Sequence, residues 1–441
     1  MQPAVVFCTT CKGRTKHLEK TLPQNIADNR DYENLKFVIL DYNSPDHLLA
    51  YLKRNHRSEI ESGRVVVYNF TEPGPFRMAH AKNMAHRLGM LEGADIMVNL
   101  DADNYTGPGF ASYVSERFQE KSNIFLWAKI IPGQGRRFRG CSGRIAVTKE
   151  AFLLAGGYDE KFATWSPDDK DFNARLCNLG YEAVEIDTQY LCAVPHPDGV
   201  RFQEYPHAKP TDQTSSELEY VNTGATVVNY GQCGMGFVVR NCYPDPVRLG
   251  KLPTRIFGVG LHKTATTSLS EALTVLGYRS GHWESGDWAK AIWAEMITEK
   301  RSVTLEKYYA ASDLPIALLY KELDRSYPGS KFILTIRDEQ KWLESVKNHW
   351  TYERNRFRWE WDIYPFSNQI HKQLYGQETF DAEVFLARYR KHNADVREYF
   401  KDRNDLLIMD MDDSAGWLEL CSFLGNPIPS IPYPVKYATV N

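Results

Sequence analysis

Residues 96–104, IMVNLDADN, decide the fold of the first half of the chain. A run suited to a buried strand leads directly into Asp101 and Asp103, two carboxylates separated by one residue. Such a pair at a strand end can direct both carboxylates towards one hard cation, Mg²⁺ or Mn²⁺. Acidic residues also commonly end strands, so the pattern alone favours a solvated turn, and the surrounding sequence decides between the two.

The sequence around this segment alternates between strand-like and helix-like patterns. Short β-rich runs occur at residues 5–9, 37–41 and 65–69, and helical periodicity occurs at residues 17–29 and 79–91. This alternation predicts βαβ units and a largely parallel sheet, that is, an α/β fold. Ligands of such sheets bind at the carboxyl ends of the strands, where the Asp101 pair lies.

The composition is that of a folded, two-domain protein. The chain has 441 residues, 43% of them hydrophobic, and a formal charge of -3, which argues against a nucleic-acid partner. We find no apolar run long enough to span a membrane and no signal peptide, so a cytoplasmic location is expected. Of the eight cysteines, Cys8 and Cys11 form the only C-x-x-C pair, which we interpret as buried, reduced thiols.

Three further segments favour the interpretation of Asp101 and Asp103 as a metal site over that of a solvated turn. They are FVILDYNSPD at 37–46, GGYDEKFATWSPDDKDFNARLCNLGY at 156–181 and VPHPDGVRF at 194–202. In this order, over about residues 3–205, the sequence resembles the GT-A glycosyltransferases, specifically the family-2-like and galactosyltransferase-like inverting enzymes. The joint occurrence of these segments is far more specific than any one of them.

The resemblance implies a nucleotide-sugar site with a metal ion. Asp41 would contact the nucleobase, and Asp101 and Asp103 would bind the metal and the diphosphate. His196 matches a histidine that completes the metal site in galactosyltransferase-like members, although it could equally be a surface-turn residue. An imidazole ligand suits Mn²⁺ better than Mg²⁺, so manganese is favoured.

The resemblance also implies a general base and contacts to the nucleotide. Asp169 would deprotonate the acceptor hydroxyl, but this chain has Asp168-Asp169-Lys170 where the family often has Glu-Asp-Asp, so Asp168 stays an alternative. Thr9 and Arg14 follow the first strand and are expected to touch the nucleotide. UDP is the nucleotide implied, and the sugar remains open.

A second strand–loop–helix pattern begins at residue 255, with RIFGVGLHKTATTS at 255–268. Backbone N–H groups, hydroxyls and Lys263 in such a loop form a cradle for phosphate oxygens. It is not a Walker A motif, because His262 stands where that motif has glycine. We predict a first domain at 1–248, with a linker in its part after about 222, and a second domain at 252–441.

The segment KFILTIRD at 331–338 identifies the second half. Together with the loop, Arg337 and Ser345 resemble the sulfotransferases that use 3′-phosphoadenosine-5′-phosphosulfate, over about residues 254–435. The resemblance implies a P-loop-type α/β domain in which Arg337 and Ser345 bind the 3′-phosphate. The phosphosulfate would be held by the loop residues His262, Lys263, Thr264, Thr266, Thr267 and Ser268.

A base is also needed for sulfate transfer, and His282 is the candidate, with Glu284 and Asp313 behind it; a pocket-lining role is the alternative. The sequence therefore predicts two transferases in one chain, acting on a glycan acceptor. A second hypothesis makes the sulfotransferase-like half an inactive binding module, and a third makes the whole protein a non-catalytic glycan binder. The oligomeric state is left open.

Overall fold

The computed structural model describes residues 2–70, 72, 74–129, 140–162, 167–195, 228–240, 246–356, 364–377, 379–412, 416–429 and 431–435. The chain divides into two compact units, Met1–Leu252 and Pro253–Asn441. Nowhere in the described residues is a helix both long enough and apolar enough to cross a membrane. The sheet of the first unit is mixed, with parallel pairing at its centre and antiparallel pairs further out, so the predicted largely parallel sheet describes only its central strands. The described sheet of the second unit is parallel, and helices lie in the connections of both.

The described part of the first unit has a nine-stranded sheet in the order β11-β10-β3-β2-β1-β4-β7-β6-β8, and a β5-β9 ribbon. The strands are β1 (Val5–Cys11), β2 (Leu35–Asp41), β3 (Val65–Phe70), β4 (Ile96–Asn99), β5 (Asn104–Tyr105), β6 (Ile124–Trp127), β7 (Ile145–Thr148), β8 (Glu182–Glu185), β9 (Cys192–Ala193), β10 (Gly236–Arg240) and β11 (Pro246–Leu249). The helices are α1 (Thr15–Asp28), α2 (Leu48–Asn55), α3 (Arg57–Glu61), α4 (Met78–Leu91), α5 (Phe110–Glu120), α6 (Lys149–Ala155) and α7 (Asp168–Asn178).

Strand β1 is the centre of this sheet. It pairs in parallel with β2 on one side and with β4 on the other, and all of its residues are buried. A strand buried on both faces has to be almost uniformly apolar or small, as VVFCTTC is. The chain adds β2 and β3 on one side of β1 and then places β4 on the other, so a crevice is expected between β1 and β4 at their carboxyl ends.

Helix α4 packs against β1, β2 and β4, the central strands of this sheet. The two glycines of GGYDE both have positive φ angles, 72° at Gly156 and 72° at Gly157, which let the backbone turn closely against α4. Asn83 on α4 accepts from Tyr158 N at 2.7 Å and donates to Tyr158 O at 2.8 Å. The GGYDE segment is therefore held in place by a helix that lies far from it in sequence.

Part of the region predicted as a linker, the residues after about 222, pairs with the sheet of the first unit. Pro246–Leu249 form β11, an edge strand antiparallel to β10, and β10 is antiparallel to β3. Arg87 on α4 donates to Cys233 O and to Gly250 O, both at 2.7 Å. Gly234 lies so close to α4 that a Cβ there would be 2.5 Å from Met84 N. Gly234, one of the glycines that suggest a linker, is thus explained by close packing against α4.

The second unit has a five-stranded sheet, within the described residues, in the order β13-β14-β12-β15-β16, and every pair is parallel. The strands are β12 (Ile256–Gly258), β13 (Ser280–His282), β14 (Ala310–Ser312), β15 (Lys331–Ile336) and β16 (Leu406–Asp410). The helices are α8 (Thr266–Val275), α9 (Gly286–Thr298), α10 (Val303–Glu306), α11 (Tyr320–Ser326), α12 (Glu339–Arg356), α13 (Tyr364–Tyr375), α14 (Ala382–Tyr399) and α15 (Trp417–Leu424). Both units confirm the predicted α/β class.

We predict that Gly157→Ala destabilises the protein more than Gly93→Ala. Both glycines have positive φ, but a Cβ at Gly157 would lie 2.4 Å from Asn83 Oδ1, whereas nothing lies within 4 Å of one at Gly93. We expect a loss of roughly 2 kcal/mol for Gly157→Ala and about 1 kcal/mol for the control, measured by urea denaturation. Equal losses would mean that the contact with Asn83 contributes nothing.

The buried His86 predicts a loss of stability in acid. Burial lowers the pKa of His86 to about 4, and its Nδ1 lies 2.7 Å from Lys82 O. Below about pH 6.5 the unfolded chain takes up a proton that folded His86 refuses until about pH 4, so stability falls over this interval, by up to about 3 kcal/mol. Calorimetry from pH 7 to 4 should give a shallower slope for His86→Phe, whereas exposed His47→Asn should keep the wild-type slope.

Candidate functional sites

In the first unit, the carboxyl edge of the sheet brings together residues predicted to bind a nucleotide. Thr9 lies in β1 and is buried, and Asp41 ends β2 beside it. One oxygen of Asp41 accepts from Ser44 N at 2.8 Å and the other from Asn69 Nδ2 at 3.1 Å. Burial raises the pKa of Asp41, although both hydrogen bonds oppose this effect. Asn69, at the equivalent end of β3, was not foreseen in the sequence.

The loops after β1 and β2 are joined by side-chain hydrogen bonds. Gly13 N donates to Ser44 Oγ and Thr15 N donates to Asp46 Oδ2, each at 2.8 Å. Arg14 lies between these two donors, half-buried at the start of α1. The backbone on both sides of Arg14 is therefore fixed next to the loop that follows Asp41.

The two carboxylates after β4 are each tied to a neighbouring asparagine. Asn99 Nδ2 lies 3.3 Å from Asp101 Oδ1, and Asn104 Nδ2 lies 2.9 Å from Asp103 Oδ1. Burial and the nearby Asp103 raise the pKa of Asp101, against the attraction of Lys82. Asp101 thus lies in a crowded, anionic environment that a cation would stabilise.

Gly143 allows the backbone to pass close to this cluster. A Cβ at Gly143 would lie 3.1 Å from Asp101 Oδ2 and 3.2 Å from Asp169 Oδ2, so these two carboxylates converge on one point. The next residue, Arg144, is fully buried and donates to Asn104 Oδ1 at 2.9 Å and to Tyr190 O. The role of Arg144 could not be predicted from the sequence, because a single arginine after a glycine forms no distinctive pattern.

Lys82 joins the two candidate bases. Its ammonium group lies 2.8 Å from Asp168 Oδ2 and 2.6 Å from Asp169 Oδ1, and its side chain is only 3% exposed. Burial works against its charge, but the two carboxylates outweigh this effect and raise the pKa of Lys82. Burial raises the pKa of Asp168 to about 6 and also raises that of Asp169. Asp169 is the more accessible of the two, with 23% of its side chain exposed against 6% for Asp168.

Of the three residues predicted from sequence to bind a metal, the structure describes the two carboxylates, Asp101 and Asp103. The third, His196, lies outside the described residues. Val194, two residues before it, donates from its backbone N–H to Asp103 O at 2.8 Å. Among the described residues, no group of three or more histidine, cysteine, aspartate or glutamate side chains is arranged to hold a metal. The oxygen donors of Asp101 and Asp103 nevertheless fit Mg²⁺ or Mn²⁺ bound jointly with a diphosphate.

In the second unit, the loop between β12 and α8 has the backbone form of an anion cradle. Lys263 and Ala265 have positive φ angles, 67° and 61°, and α8 begins at the next residue, Thr266. Thr264 Oγ1 donates to Leu261 O at 2.6 Å and also lies 2.6 Å from Thr335 Oγ1. A Cβ at Gly260 would lie 2.0 Å from the same Thr335 hydroxyl, so β15 supports the loop from beneath.

Arg337 is held at the rim of this loop. Its NH1 group donates to Lys263 O at 3.3 Å, and its NH2 group lies 3.7 Å from Asp412 Oδ1. The Tyr389 hydroxyl accepts from Arg337 N and donates to Arg337 O, both at 2.9 Å. Ser345 is half-buried on α12, the helix that follows Arg337.

The two histidines of this unit that were predicted as site residues have different surroundings. His262 is buried, with Nε2 3.1 Å from the Tyr375 hydroxyl, and burial lowers its pKa well below the usual value. His282 Nε2 lies 3.0 Å from Thr266 Oγ1, 3.3 Å from Thr267 Oγ1 and 3.4 Å from Asp313 Oδ2. His282 thus meets both the phosphate loop and a carboxylate, while Ser268 is buried in α8.

Comparison with known structures gives likenesses of low sequence identity. The structures are a mannosyltransferase, PcManGT, from Pyrobaculum calidifontis in complex with GDP-Man and Mn²⁺ (18% identity, 51% of this chain and 70% of that chain, TM-score 0.38), GalNAc-T7 with UDP, GalNAc and Mn²⁺ (13%, 45% and 44%, 0.37), and S. aureus TarS 1-349 in complex with UDP-GlcNAc (13%, 47% and 61%, 0.36).

Comparison by sequence identifies the second unit. Among curated proteins, "Ava biosynthesis cluster protein M" of Aspergillus versicolor is 26% identical over 212 residues, 41% of this chain and 79% of the relative. Residues 255–440 match the family model described as "Sulfotransferase domain". This match confirms the resemblance recognised in the loop and in the Arg337 segment. The family match therefore identifies residues 255–440, most of the second unit, as a sulfotransferase domain, which follows a mixed α/β unit in the same chain.

Proposed function

We propose that this transferase is bifunctional, with an inverting glycosyltransferase site in the first unit and a sulfotransferase site in the second. The supporting observation is common to both units: charged side chains lie at or just after the carboxyl ends of parallel strands at the centre of the sheet. The donors would be a nucleotide sugar, with UDP as the nucleotide, and 3′-phosphoadenosine-5′-phosphosulfate. The acceptor of both groups would be a glycan hydroxyl.

In the first unit, Asp41 would accept a hydrogen bond from the nucleobase, and Thr9 and Arg14 would contact the nucleotide. A divalent cation held by Asp101, Asp103 and His196, with Mn²⁺ favoured, would neutralise the diphosphate as it leaves. Support for Asp169 as the base comes from its position: Asp169 Oδ2 and Asp101 Oδ2 both lie beside Gly143, and Asp169 is more exposed than Asp168. A base has to reach the acceptor, which the deeply buried Asp168 cannot do as readily.

In the second unit, the positive-φ loop and the start of α8 would hold the phosphosulfate through N–H groups and hydroxyls. The hydroxyls proposed for this are those of Thr266, Thr267 and Ser268, whereas the predicted Thr264 hydroxyl donates to Leu261 O and stabilises the loop instead. Lys263 would stabilise the charge that develops on the bridging oxygen, and Arg337 with Ser345 would bind the 3′-phosphate. His262, whose imidazole bonds to Tyr375, would support the loop from behind.

His282 is proposed as the base for sulfate transfer. With a hydrogen on Nε2, its N–H faces Thr266 and Asp313, and the lone pair on Nδ1 can take the proton of the acceptor hydroxyl. The acceptor oxygen then bonds to sulfur, the bond from sulfur to the bridging oxygen breaks, and that electron pair leaves with adenosine 3′,5′-bisphosphate. Asp313 would stabilise the imidazolium that forms.

Two separate donor sites predict two separate ligand responses. We expect UDP with Mn²⁺, and adenosine 3′,5′-bisphosphate, each to raise the melting temperature of the full chain by several degrees at saturation. Asp103→Ala should remove only the first response and Lys263→Ala only the second. The exposed residues Asp31 and Lys401 provide the matched controls, since Asp31→Ala and Lys401→Ala should retain both responses.

A response to UDP and Mn²⁺ alone would favour the alternative that the second unit is an inactive module. The absence of the UDP response, with the bisphosphate response intact, would remove the glycosyltransferase proposal. Because each variant is measured with both ligands, a variant that merely unfolds is recognised by the loss of both responses together.

His282→Asn tests the proposed sulfotransferase base. The variant should lose about 100-fold or more in the rate of sulfate transfer while keeping its affinity for adenosine 3′,5′-bisphosphate, because the base acts only on the acceptor proton. Asp313→Asn, which suits the φ of 72° at that position, should lose rate less severely. Asp287→Asn, an exposed acid nearby on α9, is the control. An undiminished rate in His282→Asn would show that another group takes the proton.

A further inference from the structure

Lys82 is an unusual residue at its position. It lies on α4 among consecutive buried residues, from Ala79 to Met90, and its side chain is 3% exposed. A lysine is almost never buried unless it is paired, because removing the ammonium group from water is costly. Its ion pairs with Asp168 and Asp169, at 2.8 and 2.6 Å, supply that pairing.

The two ion pairs are not equivalent. Asp168 is bonded through Oδ2 and is almost completely enclosed. Asp169 is bonded to Lys82 through Oδ1, whereas its Oδ2 lies on the side of Gly143 and Asp101, and its side chain keeps 23% of its exposure. The ammonium group of Lys82 therefore neutralises the buried Asp168 and at the same time orients Oδ2 of Asp169 towards Gly143 and Asp101.

From this geometry we infer that Lys82 is a positioning residue for sugar transfer, which fixes Asp169 as the base and keeps Asp168 out of that role. The inference rests on the proposed glycosyltransferase function of the first unit. With Asp169 Oδ1 held by Lys82, Oδ2 takes the proton of the acceptor O–H. The acceptor oxygen bonds to the anomeric carbon, the bond from that carbon to the diphosphate oxygen breaks, and the electron pair leaves with the nucleoside diphosphate.

A cation suits this role better than a neutral donor would. Asp168, Asp169 and Asp101 lie around the same part of the site, and like charges close together oppose one another's ionisation. Lys82 also packs against the Tyr158 ring, with Nζ 5.0 Å from its centre, so the stem of the side chain is held as well as its charge. Tyr158 belongs to GGYDE, and thus α4 and the GGYDE segment together place the ammonium group.

The test measures UDP release by the full chain with Mn²⁺ and water as the acceptor. The donor is whichever of UDP-galactose, UDP-N-acetylgalactosamine and UDP-N-acetylglucosamine the wild-type protein cleaves fastest. Lys82→Met should lower kcat by about 100-fold and change the donor KM by less than about threefold, because the base acts after the donor has bound. Lys82→Arg should restore kcat to within about tenfold of the wild type.

Lys82→Met removes a buried positive charge and leaves the negative charges of Asp168 and Asp169 unneutralised, so this variant can fail to fold. The double variant Lys82→Met with Asp168→Asn removes one charge of each sign and is the second test. It should fold and bind UDP with Mn²⁺, yet keep the low kcat, since nothing orients Asp169. Lys36→Met, which removes a partly buried ion pair with Glu92 in the same unit, is the control and should keep the wild-type kcat.

Three results would overturn the inference. Wild-type kcat in folded Lys82→Met would mean that Asp169 needs no positioning. Recovery of wild-type kcat in the double variant would mean that Lys82 only neutralises Asp168. If the wild-type protein cleaves none of the three donors, the proposed glycosyltransferase function fails and the inference fails with it, a result that the other two outcomes cannot imitate.

Discussion

Parallel pairing on both sides of a central strand is the constraint on which the first unit depends. Since β1 lies between β2 and β4, the three strands end at one edge, and the polar residues that follow them have to share it. The second unit obeys the same rule with β12 between β14 and β15. In both, the sheet supplies the position, and short loops supply the chemistry.

On the proposed function, the two units would bind anionic donors by different means. The first has carboxylates, which would bind a nucleotide diphosphate only through an intervening cation. The second has a loop with positive φ at Lys263 and Ala265, whose backbone N–H groups would bind the donor together with the cations of Lys263 and Arg337. The small net charge of the chain is consistent with both, because each site depends on local charge.

The sequence predicted the α/β class and the sulfotransferase resemblance because strand ends and the phosphate loop are local patterns. It did not predict Lys82, Arg144 or Thr335, whose partners are distant in the chain: Lys82 is 86 residues from Asp168. Nor did it foresee β11, since glycines that serve close packing against α4 look like those of a linker. The roles assigned to individual site residues remain predictions.

The contacts of α4 also limit how early the first unit can be completed during synthesis. The hydrogen bond from Asn83 forms only once Tyr158 has been made. Those from Arg87 require Cys233 and Gly250, which lie 146 and 163 residues further along the chain. Contacts of such long range are formed slowly and only after the intervening chain has been made. A nascent chain that stops before residue 250 therefore lacks the carbonyl that accepts from Arg87 NH2, and the packing of α4 is completed only when the last residues of the first unit have been made.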